Sequence, residues 1–72
     1  MSVFSERLRS LRKSKGKLQK EIAEILNISD RSYRSYEAGA VDASLSKLII
    51  LADYYDVSLD YLAGRSDVPE QN

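Results

Sequence analysis

Residues 19–38, QKEIAEILNISDRSYRSYEA, constrain the fold more than any other stretch of this 72-residue chain. Ile22, Ala23 and Leu26 recur at the spacing of a 3.6-residue period and predict a helix with one apolar face. Asn27 breaks the run, and Ile28 follows as a single apolar plug. Ser29 is then placed to cap a second helix. Tyr33 and Tyr36, three residues apart, supply the buried side of that helix. Gly39 ends it, because glycine tolerates the left-handed conformation at a helix C-terminus. Asp30, Arg31, Arg34 and Ser35 occupy its remaining positions and face outward.

The flanking segments supply what these two short helices must pack against. Ser2 caps a first helix running to about Ser14, with Phe4, Leu8 and Leu11 on one stripe. Gly16 punctuates, between Lys15 and Lys17. The helix from Gln19 begins after Leu18, whose side chain cannot accept a hydrogen bond. Losing a good cap costs about 1 kcal/mol, and Glu21 offsets part of it through the helix dipole. After the loop AVDA, Ser44 caps a helix over 45–55. There Leu45, Leu48, Leu51, Ala52 and Tyr55 face the core, and Ile49, Ile50 and Tyr54 widen the apolar surface. Val57 and Ser58 separate it from a last helix, 59–63, with Leu59 and Leu62 inward and Gly64 as terminator. Residues 1–66 form one all-α domain of five short helices, and the polar stretch 67–72 is expected to be a flexible tail.

Composition narrows the function. A single domain this small buries only about 60% of its unfolded surface, and a stability of about 5 kcal/mol is expected. The chain has no cysteine and no histidine, which removes the usual metal ligands, thiolate nucleophiles and acid–base catalysts. No apolar run is long enough to span a membrane, and no secretory signal is present. The expectation is a cytoplasmic, soluble, non-catalytic domain with no cofactor and no metal. Net charge is zero, but its distribution is polar. Residues 1–34 carry nine basic and four acidic side chains, and residues 35–72 carry two basic and seven acidic ones. One basic end is enough to hold a phosphate backbone, since the local field matters more than the total. A short helix with a buried back and a hydrogen-bonding front is also what major-groove reading requires.

The chain resembles the phage Cro/repressor-type helix-turn-helix family, the xenobiotic-response-element class of small bacterial and phage regulators. The likeness runs from the opening FSERLRSLRKSKG through the two-helix centre to the closing LADYYDVSLDYLAG. Counting from Gln19, the small fifth residue is Ala23. The apolar fourth, eighth and tenth are Ile22, Leu26 and Ile28, and the fifteenth and eighteenth are Tyr33 and Tyr36. The resemblance implies a compact lambda-repressor-like fold that binds double-stranded DNA, as a repressor and as a homodimer. Three features depart from the pattern, the first being Leu18, where Ser, Thr or Asn usually precedes the glutamine. Asn27 stands where glycine is usual, and Ala40-Val41-Asp42-Ala43 replaces a loop that is usually basic, which implies weaker non-specific affinity.

The same resemblance assigns roles. Asp30, Arg31 and Ser35 fall on the base-reading positions. Arg31 can bind guanine O6 and N7 in a bidentate manner. Asp30 can accept from cytosine N4, and as a first-turn carboxylate it also stabilises the helix dipole, the reading favoured for it. Gln19 is expected to offer its backbone N–H to a phosphate and its side chain to the recognition helix. Lys17, Lys20, Ser29 and Arg34 are the other phosphate-contacting or positioning residues. Arg12 and Glu37 are expected to form a structural ion pair. Ile50, Tyr54, Leu59 and Tyr61 are candidates for contact with a second copy or another protein. The competing reading is a protein-interaction module, antitoxin-like or anti-repressor-like, with weakened DNA binding.

Overall fold

A computed structural model describes residues 2–70. Among the described residues the chain is all-α, with α1 Val3–Ser14, α2 Gln19–Leu26, α3 Asp30–Glu37, α4 Leu45–Tyr55 and α5 Leu59–Ala63. The helix starts follow from side-chain oxygens. Ser2 accepts from the Ser5 N–H at 3.1 Å, and Ser5 returns the bond by accepting from the Ser2 N–H, closing a capping box. Ser29, Ser44 and Ser58 cap α3, α4 and α5 in the same sense. Only α2 lacks a side-chain cap, as Leu18 dictates. There the Glu21 carboxylate accepts the Leu18 N–H at 2.8 Å, so one orphan donor is satisfied from inside the helix.

One ending serves all five helices. A residue with positive φ follows each: Gly16, Asn27, Gly39, Asp56 and Gly64. The N–H of the next residue then bonds back to a carbonyl five positions earlier, as Ile28 does to Ala23 at 3.0 Å and Val57 to Ala52 at 2.9 Å. The non-glycine cases are asparagine and aspartate, the side chains that best tolerate this conformation. At α2 the ending gains a further partner, because Lys47 Nζ donates to the Leu26 carbonyl at 2.8 Å and ties α4 to the turn before α3.

The core joins Phe4 and Leu8 of α1, Ile22, Ala23 and Leu26 of α2, and Tyr33 of α3. From the second half it takes Leu51, Ala52, Tyr55, Val57 and Leu62. Leu11, Ile28 and Tyr36 pack against it half-buried. Tyr36 sits edge-on to both Phe4 and Tyr33, with ring centroids 6.4 and 6.3 Å apart.

Two expected core positions are corrected. Leu45 is 66% exposed and Leu59 is 39% exposed. Each is the first residue of its helix, immediately after a serine cap at the surface. The buried residues of α4 all lie in its second half, at Leu51, Ala52 and Tyr55. Val57, expected as a spacer, is buried in the core.

The tail expected at 67–72 falls partly outside the described residues, at 71 and 72. Within them it is tethered. Arg7 donates to the carbonyl of Ser66 at 2.6 Å and to the Asp67 carboxylate at 2.8 Å, while its guanidinium lies 4.2 Å from the Tyr61 ring. The Ser58 N–H donates to the Pro69 carbonyl at 2.8 Å.

Candidate nucleic-acid interface

The candidate interface is built around a buried carboxylate. Glu37, in the last turn of α3, has a side chain only 3% exposed. Arg12 of α1 meets it with two bonds, Nε to Oε2 at 2.6 Å and Nη2 to Oε1 at 3.0 Å. Gln19 of α2 donates Nε2 to Oε1 at 3.1 Å. The Tyr33 hydroxyl, one turn earlier on α3, donates a short bond to Oε2. Arg9 adds a bond to the Glu37 carbonyl at 3.2 Å. Burial pushes the Glu37 carboxyl up, but the bonds from Arg12, Tyr33 and Gln19 outweigh it and hold it below the usual carboxylate range. Burial, then the bond to Glu37, pushes the Tyr33 hydroxyl up and keeps it a donor. Three helices therefore converge on one side chain at the back of α3, and its angle to α1 and α2 is set by directional bonds.

The front of α3 is polar. Asp30, Arg31 and Arg34 are exposed, and Ser35 is half-buried. Ser29 is engaged as the cap, accepting the Ser32 N–H at 3.1 Å. Ser35 Oγ donates to the Ser32 carbonyl at 2.6 Å. Ser32, which the sequence reading passed over, is exposed on the same front and accepts from the Ser29 hydroxyl at 3.0 Å. Its signal was present in the spacing: a polar residue three after a serine cap shares the cap's side of the helix.

The two lysine candidates lie in separate grooves. Lys20 lines a shallow groove of ≈ 470 Å³ with Glu21, Glu24, Asn27, Ile28 and Asp30, beside the start of α3. Lys17 lines another with Glu21, Glu24, Ile25 and Tyr54, on the side of α2 that meets α4. The Lys17 carbonyl accepts from Arg12 at 3.0 Å, which fixes the backbone just before α2. Of the four residues considered for protein contact, Ile50 and Leu59 are exposed, and Tyr54 and Tyr61 are half-buried. A cation covers each of those tyrosines: Lys15 Nζ lies 4.7 Å from the Tyr54 ring, and Arg7 stacks on Tyr61. Among the described residues no group of three or more acidic, His or Cys side chains is arranged to hold a metal ion, and no helix is long and apolar enough to cross a membrane.

Comparison with known proteins agrees with this geometry. The helix-turn-helix family model matches residues 8–62. An uncharacterized HTH-type transcriptional regulator of Bacillus subtilis, YobD, is 43% identical over 94% of this chain and 61% of its own length. The HTH-type transcriptional regulator ImmR of the same organism is 39% identical over 96% of this chain and 54% of its own length. The cryptic phage CTXphi transcriptional repressor RstR of Vibrio cholerae is 38% identical over 86% of this chain and 55% of its own length. The chain thus spans little more than half the length of these relatives. The crystal structure of a transcriptional regulator from Listeria innocua superposes with a TM-score of 0.82 at 39% identity, covering 85% of this chain and 57% of that one. The family match takes in α2, the Asn27 turn and α3, together with most of the scaffold that holds them. The chain belongs to the Cro/C1-type helix-turn-helix family.

Proposed function

We propose that this chain is a sequence-specific DNA-binding transcriptional regulator, acting as a repressor in the cytoplasm, that binds double-stranded DNA as a homodimer and catalyses no reaction. The observation that carries the reading is the division of α3. Its back is cross-linked to α1 and α2 through Glu37, while Asp30, Arg31, Ser32 and Arg34 stay exposed in front. A helix so held can enter the major groove without turning on its axis. In this reading Arg31 contacts a purine edge, and Asp30 and Ser35 restrict neighbouring bases. The N–H groups opening α2 at Gln19 meet a phosphate, and Lys17, Lys20 and Arg34 add phosphate contacts. Gln19 Nε2 faces Glu37, so its side chain supports α3 while its backbone is left for the phosphate. Repression follows by occlusion of a promoter.

Selection from a random double-stranded oligonucleotide pool at moderate salt, with Arg31→Ala in parallel, tests this. A two-fold-related motif, lost in the variant, is the expected result. Binding to that motif should fall with salt at a log–log slope of about −0.9 per phosphate contacted. A folded protein that enriches no motif would overturn the proposal.

A second reading has an observation in its favour. Leu45, Ile49 and Ile50 stand exposed on α4. A protein-interaction module would use that surface. Under it Arg31→Ala has no effect, and Ile50→Lys or Tyr54→Lys abolishes partner binding.

A further inference from the structure

Two serine hydroxyls lie one turn apart on the front of α3, and their hydrogen bonds run in opposite senses. Ser35 Oγ donates to the Ser32 carbonyl at 2.6 Å. Its proton is committed to the backbone, and only its lone pairs are left to face outward. Ser32 Oγ accepts at 3.0 Å from Ser29 Oγ, which in turn accepts the Ser32 N–H at 3.1 Å. The Ser29 proton is thereby committed to Ser32, and the Ser32 O–H is left to leave the protein surface. A hydroxyl that already accepts a hydrogen bond is also a stronger donor.

We infer that Ser32 and Ser35 read opposite polarities on DNA: Ser32 gives a hydrogen bond to a base acceptor, and Ser35 takes one from a base donor. Ser29 is the positioning residue that directs the Ser32 hydroxyl outward. The inference rests on the DNA-binding reading above and adds to it a rule for the bases. In the major groove, purine N7, guanine O6 and thymine O4 are acceptors, and adenine N6 and cytosine N4 are donors. Cytosine alone offers no acceptor there, so the base met by Ser32 is not cytosine. The base met by Ser35 is adenine or cytosine. Arg31, between Ser29 and Ser32 in sequence, is a donor only. The front of α3 therefore presents two donors, Arg31 and Ser32, against the acceptors Asp30 and Ser35.

The test repeats the oligonucleotide selection with Ser32→Ala and Ser35→Ala, each checked for helicity and thermal midpoint. Ser32→Ala is expected to keep the motif but admit cytosine at one position that excludes it in the unmodified protein. Ser35→Ala is expected to relax a different position, one restricted to adenine or cytosine. Each variant should lose about fivefold in affinity for the selected site, the size of one hydrogen bond. Ser29→Asp keeps an acceptor for the Ser32 N–H but has no proton to give, so it turns the Ser32 hydroxyl inward. It should relax the same base position as Ser32→Ala at unchanged thermal midpoint, and Ser29→Thr should restore it. A motif unchanged in both alanine variants overturns the inference, as does a uniform loss of affinity across all sequences, which marks phosphate contact. So does guanine or thymine at the Ser35-dependent position. If the unmodified folded protein enriches no motif, the DNA-binding reading itself fails and this inference falls with it. That result is distinct from a motif that ignores Ser32 and Ser35.

Discussion

α3 and α4 are both serine-capped helices of a few turns and each buries a tyrosine, but they differ in what is buried beside it. α3 buries Tyr33 and Glu37, a phenol and a carboxylate bonded to each other. α4 buries Leu51, Ala52 and Tyr55 and leaves Leu45, Ile49 and Ile50 in water. Apolar packing is non-directional, so α4 is held largely by shape, with Lys47 donating to the end of α2 and Lys15 over the Tyr54 ring. Hydrogen bonds and ion pairs fix angles, and α3 is held by several that share one acceptor. The helix whose rotation decides what its front presents is the one fixed by directional bonds. A buried carboxylate adds little net stability over a well-packed apolar residue, but it tolerates few orientations.

The largest expected effect strikes that difference directly. Glu37→Gln leaves the Arg12 guanidinium, whose side chain is 13% exposed, without its counter-charge. A loss of about 3–5 kcal/mol is expected in chemical denaturation, most of the stability of a domain this size. If α3 were held like α4, the loss would be far smaller. Acid should approach the same end point. The Glu37 carboxyl lies below its ordinary value of 4.5, so the unfolded chain takes up the proton first. Its contribution is complete above 4.5 and is lost as pH falls through the lower folded value. Denaturation midpoints measured from pH 7 downward should show this decline, and Glu37→Gln should flatten it.

On α4 the expectations follow burial alone. Leu51→Ala should cost about 2–5 kcal/mol. Leu45→Ala, one face over, should stay within about 0.5 kcal/mol. Equal losses would mean that the first turn of α4 is covered in solution. The helix ends give the smallest contrast. Gly39→Ala puts a β-carbon at φ +75° after α3 and should cost about 1 kcal/mol. Asp56→Gly relieves the same conformation after α4, at φ 55°, and should gain about 0.5 kcal/mol. Thermal midpoints of the two variants should move in opposite directions.

The helices themselves were legible because their punctuation is local. Ser2, Ser29 and Ser44 before apolar periodicity, and Gly39 and Gly64 after it, need no tertiary information. Asp56 carries no such mark, because aspartate takes the left-handed region far less readily than glycine. Leu45 and Leu59 depart from expectation because periodicity says which face a residue lies on, not whether a partner reaches that turn. At the interface, the Arg12–Glu37 pair came from family resemblance. The further bonds from Tyr33 and Arg9 depend on side-chain direction across three helices, which no one-dimensional pattern encodes. The exposed place of Ser32 follows from its spacing after Ser29, but the sense of its hydrogen bond depends on the side chain of Ser29 and not on its own identity.

Arg7 has a mechanical consequence. It grips the Ser66 carbonyl and the Asp67 carboxylate from the second turn of α1, so the two ends of the domain are clasped side by side. A pull applied at residue 70 meets two anchors, the Pro69 carbonyl held by the Ser58 N–H that opens α5 and the Arg7 grip on α1. Tension from that end therefore loads α5 and α1 together and, through Arg9 and Arg12, the last turn of α3.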